Sequence, residues 1–250
     1  MGNFQSYSKY YDLLYKDKNY AAEAKYVASL VKKYAPNSKT MLELGCGSGN
    51  HANYLVQDGF EITGVERSIE MVEEAKKKQI DNFFPIQAEI ENFSFNKREF
   101  DVAISLFHVI SYLTDNQLLV KSLRNINQHL KSGGFFIFDV WYSPAIYHQK
   151  PETRIKRLAN DEFEITRLAE PIIKSEKNTI NVNYEILITD KQTLKIDVLR
   201  ETHPMRHFSI PEVGFLALLS GFEIAHTEEF LTAEQPSENT WGVCFVLKKV

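Results

Sequence analysis

Short apolar runs alternate with amphipathic stretches through the first half of the chain, after a segment rich in tyrosine. Apolar residues at helical spacing predict a first helix over residues 21–34, ended by Pro36. Strands and helices then alternate, which is typical of βαβ units in a mainly parallel sheet covered on both faces. The predicted strands span residues 41–44, 61–65, 83–87, 101–105 and 135–139, and the predicted helices span 50–57, 68–79 and 115–130.

The period of the pattern changes after the fifth predicted strand. Apolar residues recur at every second position over residues 180–188 and again at Leu194, Ile196 and Val198, and residues 163–168 form a further strand candidate. Three antiparallel strands are therefore predicted between about residues 153 and 203. An apolar helix and two closing strands follow. The pattern thus predicts an α/β fold, with a Rossmann-like, seven-stranded, mainly parallel sheet covered by helices on both faces and an antiparallel β insertion as a cap.

These changes of pattern also suggest domain boundaries. We expect a helical N-terminal lid over residues 1–36, a core over residues 37–145 and 204–250, and the β cap over residues 146–203. Each boundary is set where the hydrophobic period changes.

Charge and cysteine content narrow the classes of partner. The chain has 29 Lys and Arg against 33 Asp and Glu, a net charge of −4, which argues against nucleic acid. Cys46 and Cys244 are too few for a disulfide framework, and no His, Asp, Glu or Cys cluster has metal-ligand spacing. The longest apolar stretch, residues 213–222, is shorter than the roughly 20 residues of a membrane span. We expect a cytoplasmic monomer or homodimer, without membrane or metal.

A glycine-rich segment joins the first predicted strand to a helix. Gly45, Gly47 and Gly49 allow a sharp turn and let a ligand lie against the backbone, at the carboxyl edge of a parallel sheet. A dinucleotide fingerprint would need glycine where Asn50 stands. Glu43 lies inside the preceding strand. Its carboxylate would not help to bind a pyrophosphate, whereas it favours a cationic ligand.

With Glu66 after the second strand and Glu89 after the third, the chain resembles the class I S-adenosylmethionine-dependent methyltransferases over almost its whole length. The resemblance implies S-adenosylmethionine as cofactor, with Glu43 and Gly45 near its methionine end, Glu66 on the ribose and Glu89 on the adenine amino group. Cys46 is interpreted as a small packing residue of this site. The cofactor-binding residues implied are Tyr15, Glu43, Gly45, Cys46, Gly47, Gly49, Glu66, Arg67, Ala88, Glu89, Ile90 and Ser105.

A narrower resemblance concerns the N-terminus. Residues 11–15 (Tyr-Asp-Leu-Leu-Tyr) and 19–24 (Asn-Tyr-Ala-Ala-Glu-Ala) resemble the nucleotide-linked aminosugar N-methyltransferases of the desosamine and mycaminose type. In that family N-terminal tyrosines close over the cofactor and the acceptor amine, and a β insertion covers the acceptor. The chain has Ser111-Tyr112 where that family has Gly-His or Gly-Tyr.

Methyl transfer needs a nucleophile held in line with the methyl, about 3 Å away, and an amine must also lose a proton. The predicted catalytic residues are Tyr11, His108 and Tyr112. The predicted acceptor-binding residues are Trp141, Tyr142 and Arg206, with His203 and His207 as further candidates for contact.

The expected function is transfer of a methyl group from S-adenosylmethionine to a small polar acceptor, as N-methylation of an amine such as a nucleotide-linked aminosugar. We expect one or two of Arg154, Arg157, Arg200 and Arg206 to reach the pocket mouth and hold an anionic acceptor. Two alternatives remain open: a small-molecule O-methyltransferase, and a non-catalytic protein that binds S-adenosylmethionine or a dinucleotide on the same fold.

Overall fold

The strands and helices of the first half follow one another in the predicted order. This computed structural model describes residues 13–96 and 99–250, so the predicted catalytic residue Tyr11 lies outside the described residues. The strands are β1 (Thr40–Leu44), β2 (Glu61–Glu66), β3 (Phe83–Gln87), β4 (Phe100–Ser105), β5 (Leu130–Tyr142), β6 (Arg154–Ala159), β7 (Phe163–Lys174), β8 (Thr179–Asp190), β9 (Ile196–Phe208), β10 (Phe222–Glu229) and β11 (Gly242–Lys249). The α-helices are α1 (Tyr20–Tyr34), α2 (Ala52–Leu55), α3 (Ile69–Lys77), α4 (Asn116–Gln128), α5 (Ser143–Gln149) and α6 (Ile210–Leu219), and 3₁₀ turns span Val56–Asp58, Val109–Tyr112 and Ser175–Lys177.

The core sheet has the strand order β3-β2-β1-β4-β5-β11-β10. Strands β1 to β5 pair in parallel, whereas β11 runs antiparallel to both β5 and β10. This confirms the predicted seven-stranded, mainly parallel sheet within the described part of the chain. The strand order reverses between β1 and β4, and a ligand crevice is expected outside the carboxyl ends of those strands.

Helices bury both faces of this sheet, which explains why its central strands are almost continuously apolar. Leu42 and Leu44 of β1 pack in one cluster with residues of α4 and α6. Met41, on the opposite face of the same strand, packs with residues of α1 and α2. Ser68 caps α3 by accepting a hydrogen bond from the Met71 amide, as its position before an apolar helical face predicts.

The end of the fourth helix differs from its prediction. Helix α4 stops at Gln128, two residues before the predicted end at residue 130, and β5 begins at Leu130. Gly133 has a φ of +70°, and a Cβ on Gly134 would lie 3.0 Å from the Asp101 carbonyl oxygen. The two glycines therefore allow β5 to approach β4 closely after a register shift.

The cap contains four antiparallel strands, β6 to β9, so the prediction of three was wrong. The additional strand, β6, lies at the edge of the sheet and alternates only between exposed and half-buried residues, so it lacks an apolar period. Strand β9 also continues to Phe208, past the predicted end of the cap.

Contacts with β5 and with the N-terminal segment help to attach the cap to the rest of the molecule. Residues Trp141 and Tyr142 of β5 pair in parallel with His207 and Phe208 of β9. From the N-terminal segment, the fully buried Leu14 packs against isoleucines on the inner face of the cap. Among the described residues, no helix combines the length and apolar character that crossing a membrane would require.

Asp101 ties together the starts of three strands of the core. Its Oδ2 accepts hydrogen bonds from the amides of Lys39 and Thr40, at 2.9 and 2.8 Å, and its Oδ1 accepts one from Lys131 Nζ at 2.6 Å. Although partial burial pushes the pKa of Asp101 upward, Lys131 and these amides hold it well below its ordinary value.

We expect Asp101→Asn to lower the free energy of unfolding at pH 7 by about 2 kcal/mol, because charge-assisted hydrogen bonds are lost. A carboxyl whose pKa is lowered by folding stabilises the protein above the unfolded pKa, and this contribution is lost as pH falls through the folded value. The free energy of unfolding, measured with urea from pH 7 to pH 2, should therefore fall less steeply below about pH 4 in the variant than in the wild type. The same pH dependence in both proteins would contradict this role of Asp101.

Candidate cofactor and acceptor site

A cavity of about 700 Å³ lies at the carboxyl edge of the parallel strands, between the core and the inner face of the cap. It brings together residues from the glycine turn, from the ends of β2, β3 and β4, and from the cap. The sequence-predicted residues that line it are Tyr15, Gly45, Cys46, Gly47, Glu66, Arg67, Ala88, Glu89, Ile90, His108, Tyr112 and Trp141.

The three glycines of the turn have positive φ angles, but their surroundings differ. A Cβ on Gly45 would lie 2.5 Å from Val109 Cγ1, and a Cβ on Gly49 would lie 2.6 Å from Phe83 Cε1. A Cβ on Gly47 would meet nothing within 4 Å. Gly45 and Gly49 therefore serve packing as well as backbone geometry, whereas Gly47 leaves open space at the cavity wall.

Glu66 joins the end of β2 to this turn. Its Oε2 accepts a hydrogen bond from the Gly47 amide at 3.1 Å, and its Oε1 accepts one from the Ser68 amide at 2.9 Å. Burial raises the pKa of Glu66, although these two amides oppose the rise. The carboxylate is thus held in a fixed orientation at the cavity, and its oxygens keep lone pairs that can accept hydroxyl hydrogen bonds.

Glu43 lies behind the cavity wall, with a relative exposure of 2%, and its Oε2 is a buried oxygen with no hydrogen-bond partner among the described residues. Burial, and then the charge of Glu66, raise the pKa of Glu43 to about 8. Two buried acids that disfavour each other's ionisation make a site that a cationic ligand would stabilise. The two carboxyl groups therefore suit a ligand that carries positive charge.

A row of charged groups connects Glu43 to the N-terminal segment. His51 Nδ1 lies 3.9 Å from Glu43 Oε1, and His51 Nε2 lies 2.7 Å from Glu23 Oε2. Lys18 pairs with the other oxygen of Glu23 and lies 4.0 Å from the centre of the Phe107 ring. Because Phe107 itself lines the cavity, the row links the N-terminal segment to the cavity wall.

His108 follows β4 and is held by a buried carboxylate. Phe107 and His108 both have positive φ, of 67° and 59°, which is uncommon for non-glycine residues and typical of functional sites. His108 Nδ1 lies 2.7 Å from Asp139 Oδ2, and Asp139 is only 1% exposed. Although burial pushes the pKa of Asp139 upward, His108 holds it below its ordinary value. A proton on Nδ1 leaves Nε2 as the ring nitrogen that can accept a proton.

Aromatic residues form much of the cavity wall, and some of them come from the cap. Trp141, Tyr15 and Tyr112 were predicted from the sequence, whereas Tyr184 and Arg167 were missed as site residues. Arg167 donates a hydrogen bond to the Tyr15 hydroxyl at 3.2 Å. Arg167 lies two residues after the buried Ile165 on β7. This spacing was the available sequence signal, because residues two apart on a strand share a face.

Cys46 also lines the cavity, as a packing residue. Burial, together with the charges of Glu43 and Glu66, raises the pKa of its thiol well above the ordinary value. The thiol is therefore protonated at neutral pH.

Several predicted site residues lie away from the cavity wall. Ser105 is fully buried and donates a hydrogen bond to the Leu44 carbonyl, and Gly49 packs against Phe83. Tyr142, the last residue of β5, is buried in the hydrophobic core cluster that also contains Leu42 and Leu44. These positions follow from packing between elements.

Arg206 and His207 also lie away from the cavity lining. Arg206 pairs with Glu212 at 2.6 Å and donates to Asn116 Oδ1 at 2.6 Å, so its guanidinium serves the contact between β9 and two helices. His207 is fully buried, 2.8 Å from the Ser143 hydroxyl, and burial lowers its pKa to about 4. Neither residue lines the cavity.

Comparison with known proteins finds methyltransferases similar to this chain. A family model described as a methyltransferase domain matches residues 41–134. A dTDP-3-amino-3,4,6-trideoxy-alpha-D-glucopyranose N,N-dimethyltransferase from Streptomyces venezuelae is 30% identical over 139 residues, covering 55% of this chain and 58% of that protein. The putative methyltransferase YqeM of Bacillus subtilis (strain 168) is 22% identical over 249 residues, covering 98% and 97%.

A crystal structure of an S-adenosylmethionine-dependent methyltransferase from Clostridium acetobutylicum ATCC 824 has the same fold, with a TM-score of 0.82 at 19% identity and coverage of 99% of each chain. The chain therefore has the fold of the class I methyltransferases, and residues 41–134 within it are similar to a methyltransferase domain.

The glycine environments predict an order of stability. We expect Gly47→Ala to cost about 1 kcal/mol, the strain of an alanine with positive φ. Gly45→Ala and Gly49→Ala should each cost about 1–3 kcal/mol more, because Val109 and Phe83 must move. Thermal unfolding of the three variants measures this order, and equal losses would contradict the packing role of the outer glycines.

Proposed function

We propose that this protein is an S-adenosylmethionine-dependent methyltransferase that transfers the methyl group to the amine of a small anionic metabolite of the nucleotide-linked aminosugar class. The observation that carries the proposal is the composition of the cavity, in which the histidine His108 lies beside aromatic rings and two cap arginines, Arg154 and Arg167. The name of the Streptomyces venezuelae relative supports this acceptor class.

The residues at the core end of the cavity suit the cofactor. We assign the methionine end to Glu43 and the glycine turn, the ribose hydroxyls to Glu66, and the adenine to Ala88, Glu89 and Ile90. When bound, S-adenosylmethionine supplies a methyl group already activated by the sulfonium charge. Glu43 and Glu66 supply negative charge, and its cost in a buried site falls when a cation is bound.

The acceptor amine must lose a proton before its lone pair can attack. His108 suits this task because the buried Asp139 orients its ring and stabilises the imidazolium that forms. Trp141, whose ring centre lies 5.9 Å from that of His108, helps to exclude water from the same region.

The cap arginines suit the anionic part of the acceptor. Arg154 of β6 and Arg167 of β7 both line the cavity. Arg157 does not belong to the cavity lining, and Arg200 pairs with Glu185. Arg206 is not included among the proposed acceptor ligands, because it pairs with Glu212 and does not line the cavity. Guanidinium groups bind phosphate oxygens in a planar, bidentate geometry, which a phosphate-linked sugar would use.

The deciding experiment is an acceptor screen with S-adenosylmethionine labelled in its methyl group. The panel contains a dTDP-linked 3-amino sugar, the same sugar without the nucleotide, a dTDP-sugar without the amine, and simple phenols. We expect label transfer to the dTDP-linked amine, with weaker transfer to the free aminosugar. Methylation of phenols alone would make the protein an O-methyltransferase and refute the proposal.

A binding measurement checks the ribose assignment. Glu66→Ala should weaken the binding of S-adenosylhomocysteine by about 2–3 kcal/mol, because two hydroxyl groups lose a charged acceptor. Glu73→Ala, an exposed acid on α3 outside the cavity, is the matched control. Calorimetric titration that gives the two variants the same affinity would contradict the assignment.

A kinetic comparison checks the cap arginines. Arg154→Lys should raise the Michaelis constant for the dTDP-linked amine about 10-fold, since a bidentate contact is lost, and leave cofactor affinity unchanged. Arg157→Lys on the same strand is the control, because Arg157 lies outside the cavity lining. The arginine role is wrong if both variants keep the wild-type Michaelis constant.

A further inference from the structure

A hydrogen-bonded row of three side chains crosses from the core to the cap at the acceptor end of the cavity. The Tyr112 hydroxyl, in the 3₁₀ turn after β4, lies 2.9 Å from His203 Nδ1. His203 Nε2 lies 2.9 Å from Glu201 Oε2, two residues earlier on β9. Tyr112 lines the cavity, whereas His203 is 2% exposed and lies behind it.

His203 has apolar residues of the cavity lining on two sides. It lies opposite Val182 in the β8–β9 pairing, next to Met205 on the same face, and both of these residues line the cavity. The Tyr184 ring packs edge-on against the imidazole at 4.9 Å. An apolar residue would fill this place at lower desolvation cost, so the buried histidine calls for a role beyond packing.

The partners of the neutral His203 ring determine which atom offers a lone pair. Glu201 can only accept, so His203 Nε2 carries the hydrogen and Nδ1 is the acceptor. Tyr112 must then donate its hydroxyl hydrogen to Nδ1. The phenol oxygen is left with lone pairs for a donor in the cavity, such as an N–H of the acceptor.

We propose that His203 and Glu201 are positioning residues that make Tyr112 a proton acceptor for the amine. The proposal rests on the proposed N-methylation. The acceptor N–H bond breaks and a new Tyr112 O–H bond forms, while the original Tyr112 hydrogen passes to His203 Nδ1. The net change moves one proton from the acceptor nitrogen to His203, as an imidazolium beside the Glu201 carboxylate.

This relay complements His108. A substrate that enters as a primary ammonium loses one proton before attack, and the methylated ammonium formed by the attack loses a second when it becomes the neutral amine. Burial, with Tyr184 and Tyr15 nearby, raises the pKa of Tyr112 well above its ordinary value. The phenol is therefore neutral and must pass its own hydrogen on when it accepts another.

A first experiment tests the tautomer without an acceptor. Histidine-labelled ¹⁵N protein, bound to S-adenosylhomocysteine at pH 8, is studied by long-range ¹H–¹⁵N correlation, with His203→Asn to assign the ring. We expect the Nε2–H tautomer of His203, and a shifted Nδ1 resonance in Tyr112→Phe. An Nδ1–H tautomer, or an unchanged Nδ1 resonance in Tyr112→Phe, would overturn the proposal.

A second experiment measures turnover with a dTDP-linked 3-amino sugar. Tyr112→Phe and His203→Asn should each lower kcat at least about 10-fold, with S-adenosylhomocysteine affinity unchanged. Asparagine can accept the Tyr112 hydrogen bond but not a proton, so wild-type kcat in His203→Asn would reduce His203 to a structural residue. The double variant should be no slower than the slower single variant, because both interrupt one relay.

A matched control comes from β10, where His226 pairs with Glu228 at 2.7 Å in the same two-residue spacing, outside the cavity. His226→Asn should keep wild-type kcat, and an equal loss in both histidine variants would overturn the proposal. Glu201→Gln, at the partly exposed end of the row, should slow turnover even if His203→Asn fails to fold. If wild-type enzyme does not methylate the amine, the proposed function fails while the tautomer experiment still decides the row's geometry.

Discussion

The short parallel pairing between β5 and β9 is the contact on which the site depends. Trp141 and Tyr142 pair there with His207 and Phe208, so one strand that belongs to the core sheet also anchors the cap. The same strand carries Asp139, which holds His108. Because this pairing holds the long antiparallel strands over the carboxyl edge of the parallel sheet, the cavity has both a core wall and a cap wall.

Buried charge distinguishes the two ends of that cavity. At the core end, Glu43 and Glu66 raise each other's cost of ionisation, and a cationic cofactor would lower it. At the cap end, Arg154 and Arg167 present positive charge beside aromatic rings. The electrostatics of the cavity therefore favour a cationic ligand on one side and an anionic acceptor on the other.

The proton removal that we propose depends on both layers. His108 is oriented from within the core by Asp139, while Tyr112 belongs to the core but is hydrogen-bonded to His203 of the cap. Tyr112 therefore links the core to the cap at the cavity wall.

The sequence by itself determined the parallel core, the glycine turn and the acids that follow β2 and β3, because local periodicity and turn chemistry report directly on strands and their ends. It also predicted His108 and Tyr112 at the cavity. It could not show that Arg206 is neutralised by Glu212 or that Arg167 faces the cavity, since both depend on packing between distant elements. Only the tertiary structure joined Tyr112 to His203, because 91 residues separate them and no local pattern encodes that contact.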